Sequence, residues 1–348
     1  MKILYGVQGT GNGHIARARA MAKCLAREGL EVDYLFTGRD EDQYFAMESF
    51  GDYQTRAGLS FATHKGRVDL GKTFVSNNLW QFWRDVHQLD LSQYDLLLND
   101  FEPVSAWAAK KQNIPSISIS HQNAFRYSVP IKGASWLDKL VIQHFAPATH
   151  HIGLHWYHFD QPILPPIIHS DHGNSAEEAY VLVYLPFESL ADITELLLRF
   201  SNQQFVCYHP QVNEPQVIEN IHCYPLSLCE FQSHLKRCEG VIANGGFELP
   251  SEALTLGKKL LLKPLDGQFE QISNAATLEG LGLASCMDIL DASVVRGWLD
   301  EDSAESVHYP DVAAAIVSWI KQGEWEDQSA LTASLWEKVD FPSYVINV

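Results

Sequence analysis

This 348-residue sequence is short of basic charge, of paired cysteines and of long apolar runs, and each shortage argues against a class of function. Lys and Arg number 25 against 43 Asp and Glu, a formal charge of −18, so no basic stripe is present to neutralise a phosphate backbone, which argues against nucleic acid as a partner. The deficit is uneven. Residues 1–165 hold 16 Lys and Arg against 16 Asp and Glu, and the remainder holds 9 against 27. A peripheral membrane contact could therefore come only from the neutral first half. The cysteines, at 24, 207, 223, 229, 238 and 286, form no Cys-x-x-Cys pair and are read as free thiols in a reducing cytoplasm. The longest uncharged stretch, Leu140 to Phe159, carries five histidines and a proline and fails as a transmembrane helix. Lys2 and the apolar residues after it are too few for a signal h-region before glycines interrupt them.

With 46% apolar and 20% charged residues, the chain can bury an ample core and is most simply two domains. Candidate strands at 1–7, 31–36, 95–99, 116–120 and 151–155 alternate with helices at 15–27, 42–49, 79–88, 104–111 and 135–145. The rhythm returns with strands at 180–184, 204–208, 221–224, 240–243 and 259–263. Such alternation predicts an α/β protein of two doubly wound Rossmann-like domains, each with a parallel sheet, facing a ligand cleft. The domains are expected at 1–165 and 176–324, with 325–348 crossing back onto the first. Pro162, Pro165 and Pro166, followed by Ser170-Asp171-His172-Gly173-Asn174-Ser175, read as the linker.

The densest motif is Gly240-Val241-Ile242-Ala243-Asn244-Gly245-Gly246-Phe247-Glu248, continuing to Glu252. An apolar strand ends in a glycine pair and a helix opens directly after it, so unpaired N–H groups and a positive helix end would meet an anion. Glu252, about two turns into that helix, could accept ribose hydroxyls. Gln268, Glu270 and Gln271 would open the next helix on the same rim and could bind sugar hydroxyls. The first turn of the chain, Gly9-x-Gly11-x-Gly13-His14, has a histidine where the dehydrogenase pattern requires its third glycine.

Together these stretches resemble the GT-B glycosyltransferases, particularly the family 28 type that includes the lipid II-forming N-acetylglucosaminyltransferase and the galactolipid synthases. The resemblance implies a diphosphate held by Gly245 and Gly246, a ribose on Glu252, and a first loop with Gly11, Gly13 and His14 beside the donor. Gln271 with Asn274-Ala275 matches the family's Gln-x-x-Asn-Ala. Asn244-Gly245 stands where Arg-Ser or His-Gly is commoner, so no arginine of the motif is present to neutralise the diphosphate.

Transfer to a hydroxyl needs a base, and His14, on a tight glycine loop at the end of the first strand, is the best placed. Its orienting carboxylate is expected from Asp100 or Glu102, at the end of a later strand, as in the dyads of the plant natural-product members of the superfamily. His14 has a capping or phosphate-binding alternative, and either acid could simply cap the helix starting at Pro103. His121 and Gln122 end another strand on this rim and are candidate acceptor contacts, or loop stabilisers. His150, His151, His155 and His158 suit a strand, which separates His151 from His155 too far for one metal ion. Asp40-Glu41-Asp42 and Asp300-Glu301-Asp302 read as helix starts, so no metal ligands are assigned. Leu79, Trp83 and Val86 have the spacing of a core face, although Trp80, Phe82 and Trp83 could touch a sugar or a bilayer.

The expectation is an inverting, metal-independent glycosyltransferase with no cofactor, using a UDP-sugar and an unidentified acceptor, cytoplasmic or peripheral at the inner membrane face. The same fold serves UDP-sugar 2-epimerases, and a non-catalytic nucleotide-sugar binder or partner subunit is the alternative outside enzymes.

Overall fold

A strand buried on both faces needs cover on both sides, which a parallel sheet between helices supplies. The computed structural model describes residues 1–59, 78–168 and 178–345, plus the strands of a short hairpin. The first domain runs β1 (Lys2–Gln8), α1 (Asn12–Arg27), β2 (Glu31–Thr37), β3 (Tyr53–Arg56), the hairpin β4 (Thr63–His64) and β5 (Arg67–Val68), α2 (Leu79–Gln88), β6 (Leu96–Asp100), α3 (Pro103–Gln112), β7 (Ser116–Ser120), α4 (Trp136–His144), β8 (His150–Leu154) and β9 (Ile163–Leu164). Its sheet has the order β3-β2-β1-β6-β7-β8-β9 with every pairing parallel.

The second domain comprises β10 (Tyr180–Tyr184), α5 (Leu190–Leu197), β11 (Gln204–Tyr208), β12 (Gln216–Ile218), β13 (Ile221–Tyr224), α6 (Leu228–Arg237), β14 (Gly240–Ala243), α7 (Glu248–Thr255), β15 (Lys259–Leu262), α8 (Phe269–Gly280), β16 (Ser285–Cys286) and α9 (Ala292–Leu299). The order is β12-β13-β11-β10-β14-β15-β16, parallel except that β12 runs against β13. In both sheets the strand order reverses beside the domain's first strand, between β1 and β6 and between β10 and β14. Loops leave such a switch point in opposite directions and open a crevice. The glycine loop of His14, Asp100 and the Asn244–Gly246 turn all lie there.

Several expectations need correction. The helix expected at 42–49 is two 3-10 turns, Glu41–Gln43 and Glu48–Phe50. Ala46 between them has φ +53°, and Arg19 draws the carbonyls of Phe45 and Ala46 to its guanidinium. Asp300 ends α9 rather than starting a helix. The second sheet is mixed, because β12 folds back on β13. Within the proline-rich stretch, Ile163–Leu164 forms an edge strand, where flanking prolines remove no needed ladder bond. The expected linker residues 170–175 lie outside the described residues.

The return to the first domain starts at α10 (Val312–Gln322), which lays its buried Val312, Ala313, Ile316, Val317 and Ile320 in one cluster with Ala18, Met21 and Leu25 of α1. Lys321 reaches Glu28 at 2.7 Å. α11 (Ser329–Trp336) follows, with Trp336 Nε1 donating to the Ile163 carbonyl at 2.7 Å. The same apolar cluster holds Trp156 from the first domain with Phe247, Ala253 and Leu254 from the second, so the two domains share a core. Among the described residues no helix is long and apolar enough to cross a membrane.

Ile316 is fully buried at this seam. Ile316→Ala should cost about 2–5 kcal/mol, read as a lower denaturant midpoint by chemical unfolding, with both domains losing structure in one transition.

Candidate active site

β1 and β6 are neighbours, and the residues after them meet above the sheet edge. Gly11 caps α1, which places His14 in the helix's first turn. Phe101 adopts φ +54° and turns the chain between Asp100 and Glu102, sending their carboxylates to different places. Asp100 faces α1. His14 Nδ1 lies 2.8 Å from Asp100 Oδ1 and 3.0 Å from Arg17 Nη2; the shorter contact is to the carboxylate, which when ionised only accepts, so Nδ1 is assigned the proton and Nε2 is left as the basic nitrogen. The ring is 14% exposed while Asp100 is fully buried.

Glu102 takes the other role weighed for it. Its carboxylate accepts from the N–H groups of Val104 and Ser105 at 2.6 Å each, from Thr37 Oγ1 at 3.0 Å, and from Ser105 Oγ. It is the N-cap of α3, and burial pushes its carboxyl up against these hydrogen bonds.

Arg17 has no place in the sequence-based site, yet it organises it. One helical turn after His14, it is 2% exposed. Its Nε donates to Asp100 Oδ2 and its Nη2 to Oδ1, both at 2.8 Å, while Nη1 donates to the carboxylate of Glu248 across the cleft. Burial opposes the charge of Asp100, but Arg17 and His14 outweigh it and hold its carboxyl below the usual range. Burial pushes Glu248 up to about 8 against the pull of Arg17. The sequence signal was the i, i+3 spacing of His14 and Arg17; of the four cations on α1, Arg17, Arg19, Lys23 and Arg27, Arg17 is the buried one.

Close approach explains two of the glycines. A Cβ on Gly13 would sit 2.9 Å from Glu248 Cγ, so the first loop meets the second domain only if residue 13 is bare. A Cβ on Gly245 would lie 2.5 Å from the backbone oxygen of Gln271, where α8 presses on the turn, whereas Gly246 faces open space. Asn244 Nδ2 donates to the Lys263 carbonyl at 2.8 Å and anchors the turn to the end of β15. Glu252 is bound by Gln232 Nε2 at 2.9 Å, and burial pushes its carboxyl up to about 7 against that bond and the nearby Arg19. Gln268 caps α8 by accepting from Gln271 N at 2.6 Å, and Gln271 Oε1 accepts from Leu265 N at 2.9 Å.

His121 and Gln122 lie on the domain interface. His121 stacks on Phe247 with ring centroids 4.0 Å apart, and its Nε2 lies 2.7 Å from Asn274 Oδ1. Gln122 Nε2 donates to both carboxylate oxygens of Glu270 at 3.1 Å. These contacts tie both rim residues to the second domain, and Gln122 Oε1 is buried without a partner among the described residues. Trp156 Nε1 adds a bond to Ser251 Oγ at 2.8 Å. Among the described residues no group of three His, Cys, Asp or Glu side chains is placed to hold a metal ion. The core face expected on α2 is also corrected: Phe82 and Val86 are buried, but Leu79, Trp80 and Trp83 are exposed.

The profile described as "Glycosyl transferase family 1" matches residues 1–301. The chain belongs to that family. No curated protein sequence matches it. Among solved structures, Streptomyces sp. SF2575 glycosyltransferase SsfS6, complexed with thymidine diphosphate, is 13% identical with a TM-score of 0.61, the match covering 92% of this chain and 99% of that one. The glycotransferase of kitacinnamycin is 14% identical, with TM-score 0.58 and coverage of 97% and 99%. Acinetobacter baumannii MurG is 15% identical, with TM-score 0.50 and coverage of 92% and 99%. These likenesses establish the GT-B fold across the chain, and the protein is a glycosyltransferase of that fold.

Glu248 and Glu252 of this glycosyltransferase have folded-state values of about 8 and about 7, above the ordinary 4.5 of an unfolded chain. The folded state therefore binds more protons between those limits, and their contribution to stability, full below pH 4.5, is lost as pH rises through about 7 and then about 8. Glu248→Gln should flatten the fall in melting temperature between about pH 5 and 8.5, measured without nucleotide.

Proposed function

We propose that the enzyme transfers a sugar from a UDP-linked donor to an acceptor hydroxyl, with inversion and without a metal ion, in the manner of the family 28 type. The observation that carries this reading is the His14–Asp100 pair, 2.8 Å apart at the switch point of the first sheet, opposite the glycine turn of the second. The acceptor hydroxyl gives its proton to His14 Nε2 as its oxygen attacks the anomeric carbon. The bond from that carbon to the diphosphate oxygen breaks on the opposite face, and UDP departs with the electron pair. Asp100 stabilises the imidazolium that forms. The N–H groups of Gly245 and the start of α7 receive the diphosphate charge, while the Gly246 N–H is turned to the Asn244 carbonyl at 2.9 Å; Glu252 takes the ribose, and Gln268, Glu270 and Gln271 are the proposed sugar contacts. The Gln271-x-x-Asn274-Ala275 run supports the family 28 likeness. Since SsfS6 was solved with thymidine diphosphate, the choice between uracil and thymine donors is the first point to test.

UDP or a UDP-sugar should raise the melting temperature more than thymidine diphosphate does, unaffected by EDTA, with the shift lost in Glu252→Ala. His14→Ala should lower kcat by about 10²–10⁴-fold while keeping that shift. Product formed without any acceptor would overturn the transferase reading in favour of epimerisation.

We also place the membrane contact on the layer of α2, α3 and α4. Trp80 and Trp136 are each 70% exposed, and Leu79, Trp83, Leu137 and Leu140 flank them. Arg84 lies 5.0 Å from the Trp80 ring and Lys110 4.9 Å from that of Trp107, a pairing of aromatics and cations suited to an anionic lipid surface. Co-sedimentation with anionic but not zwitterionic vesicles, weakened in Trp80→Ala and Trp136→Ala, is expected.

A further inference from the structure

Asp100 has to be held for His14 to be held, and the described residues show what holds it. No backbone N–H bonds to its carboxylate; the fork of Arg17 does, with Nε on Oδ2 and Nη2 on Oδ1 at 2.8 Å each, and Oδ1 also takes the proton of His14 Nδ1. The third guanidinium nitrogen, Nη1, points away from this pair and donates to Glu248. Glu248 opens α7, the helix that follows Gly245 and Gly246 and carries Glu252, so its position is the position of the donor-binding helix. Gly13 packs directly on its side chain.

We propose that Arg17 and Glu248 are positioning residues that tie the His14–Asp100 pair to the donor-binding helix, so that the base is held in its working orientation only while the two domains are closed on each other. The inference rests on the assignment of His14 as the base. Its physical basis is the division of the guanidinium. A buried Arg needs all of its donors satisfied. With Glu248 in place, Nη1 is occupied and the planar fork can meet Asp100 only through Nε and Nη2. With α7 withdrawn, Nη1 is unpaired and the guanidinium can turn to share Asp100 differently or face entering water, which releases Oδ1 from His14. Glu248 acts here as an acceptor, a function that an amide oxygen preserves.

The test uses the full chain with Glu248→Ala, Glu248→Gln and Arg17→Lys, each alone and combined with His14→Ala. Glu248→Ala and Arg17→Lys should lower kcat about tenfold or more while nucleotide affinity, from the concentration dependence of the thermal shift, stays within about twofold. Glu248→Gln should restore most of kcat. In the His14→Ala background none of the three should matter further, because residues acting through a removed group lose their effect. Equal losses with and without His14, or a loss carried by nucleotide affinity, assign the pair to domain docking and overturn the proposal. A second measurement does not require turnover. With nucleotide bound, proton NMR should show the hydrogen-bonded Nδ1 proton of His14, identified by its absence in His14→Ala and Asp100→Asn. That signal should weaken in Glu248→Ala and Arg17→Lys and return in Glu248→Gln. An unchanged signal overturns the proposal whether or not the protein transfers sugar. If Glu248→Ala does not fold, Arg17→Lys and Glu248→Gln still carry both measurements.

Discussion

A guanidinium buried without a partner is costly, and in this protein the two carboxylates that receive it come from different domains. Asp100 ends β6 of the first sheet and Glu248 opens α7 beside the second, so the pairing of Arg17 is possible only where the two switch points face each other. Much of the local sequence is shaped to permit that meeting. Gly13 is bare because Glu248 passes over it, and Phe101 turns with φ +54° so that Asp100 points into the cleft while Glu102 remains behind to cap α3.

Around this pair the interface is built from groups that sequence patterns associate with ligand. Asn274 donates to the Gly245 carbonyl at 3.0 Å and meets His121, so one side chain steadies both the glycine turn and the end of β7. Glu270 is engaged by Gln122, and the rings of His121, Phe247 and Trp156 pack together with Trp156 bonded to Ser251. The helix α10 adds a second tie by returning to α1. Domain closure and site geometry thus use the same residues, and a change in one is felt in the other.

The regular elements were largely legible in the chain. The strands at Tyr180–Tyr184, Gln204–Tyr208 and Gly240–Ala243 coincide with largely apolar runs, because a strand covered on both faces needs such a run; at Ser116–Ser120 serines alternate with isoleucines although every residue is buried. The edge strand β12 is largely exposed and has no such run, and β9, although both of its residues are buried, is only two residues long. The stretch at 42–49 has helical composition, but a tertiary contact from Arg19 overrode it. On α2 the spacing of Leu79, Trp83 and Val86 fits a buried stripe, yet only Val86 of the three is covered.

What the sequence by itself determined is the alternation of strand and helix, the placing of glycine turns at strand ends, and the residue types at the crevice. Those are local properties, set by burial periodicity and by the backbone freedom of particular positions. Which of Asp100 and Glu102 faces His14, that Arg17 stands behind both, and that Glu248 completes the set were decided only by the tertiary structure. Residues 17, 100 and 248 lie on different strands and helices far apart along the chain, and a buried ion network is specified by where those elements meet rather than by any spacing within one of them.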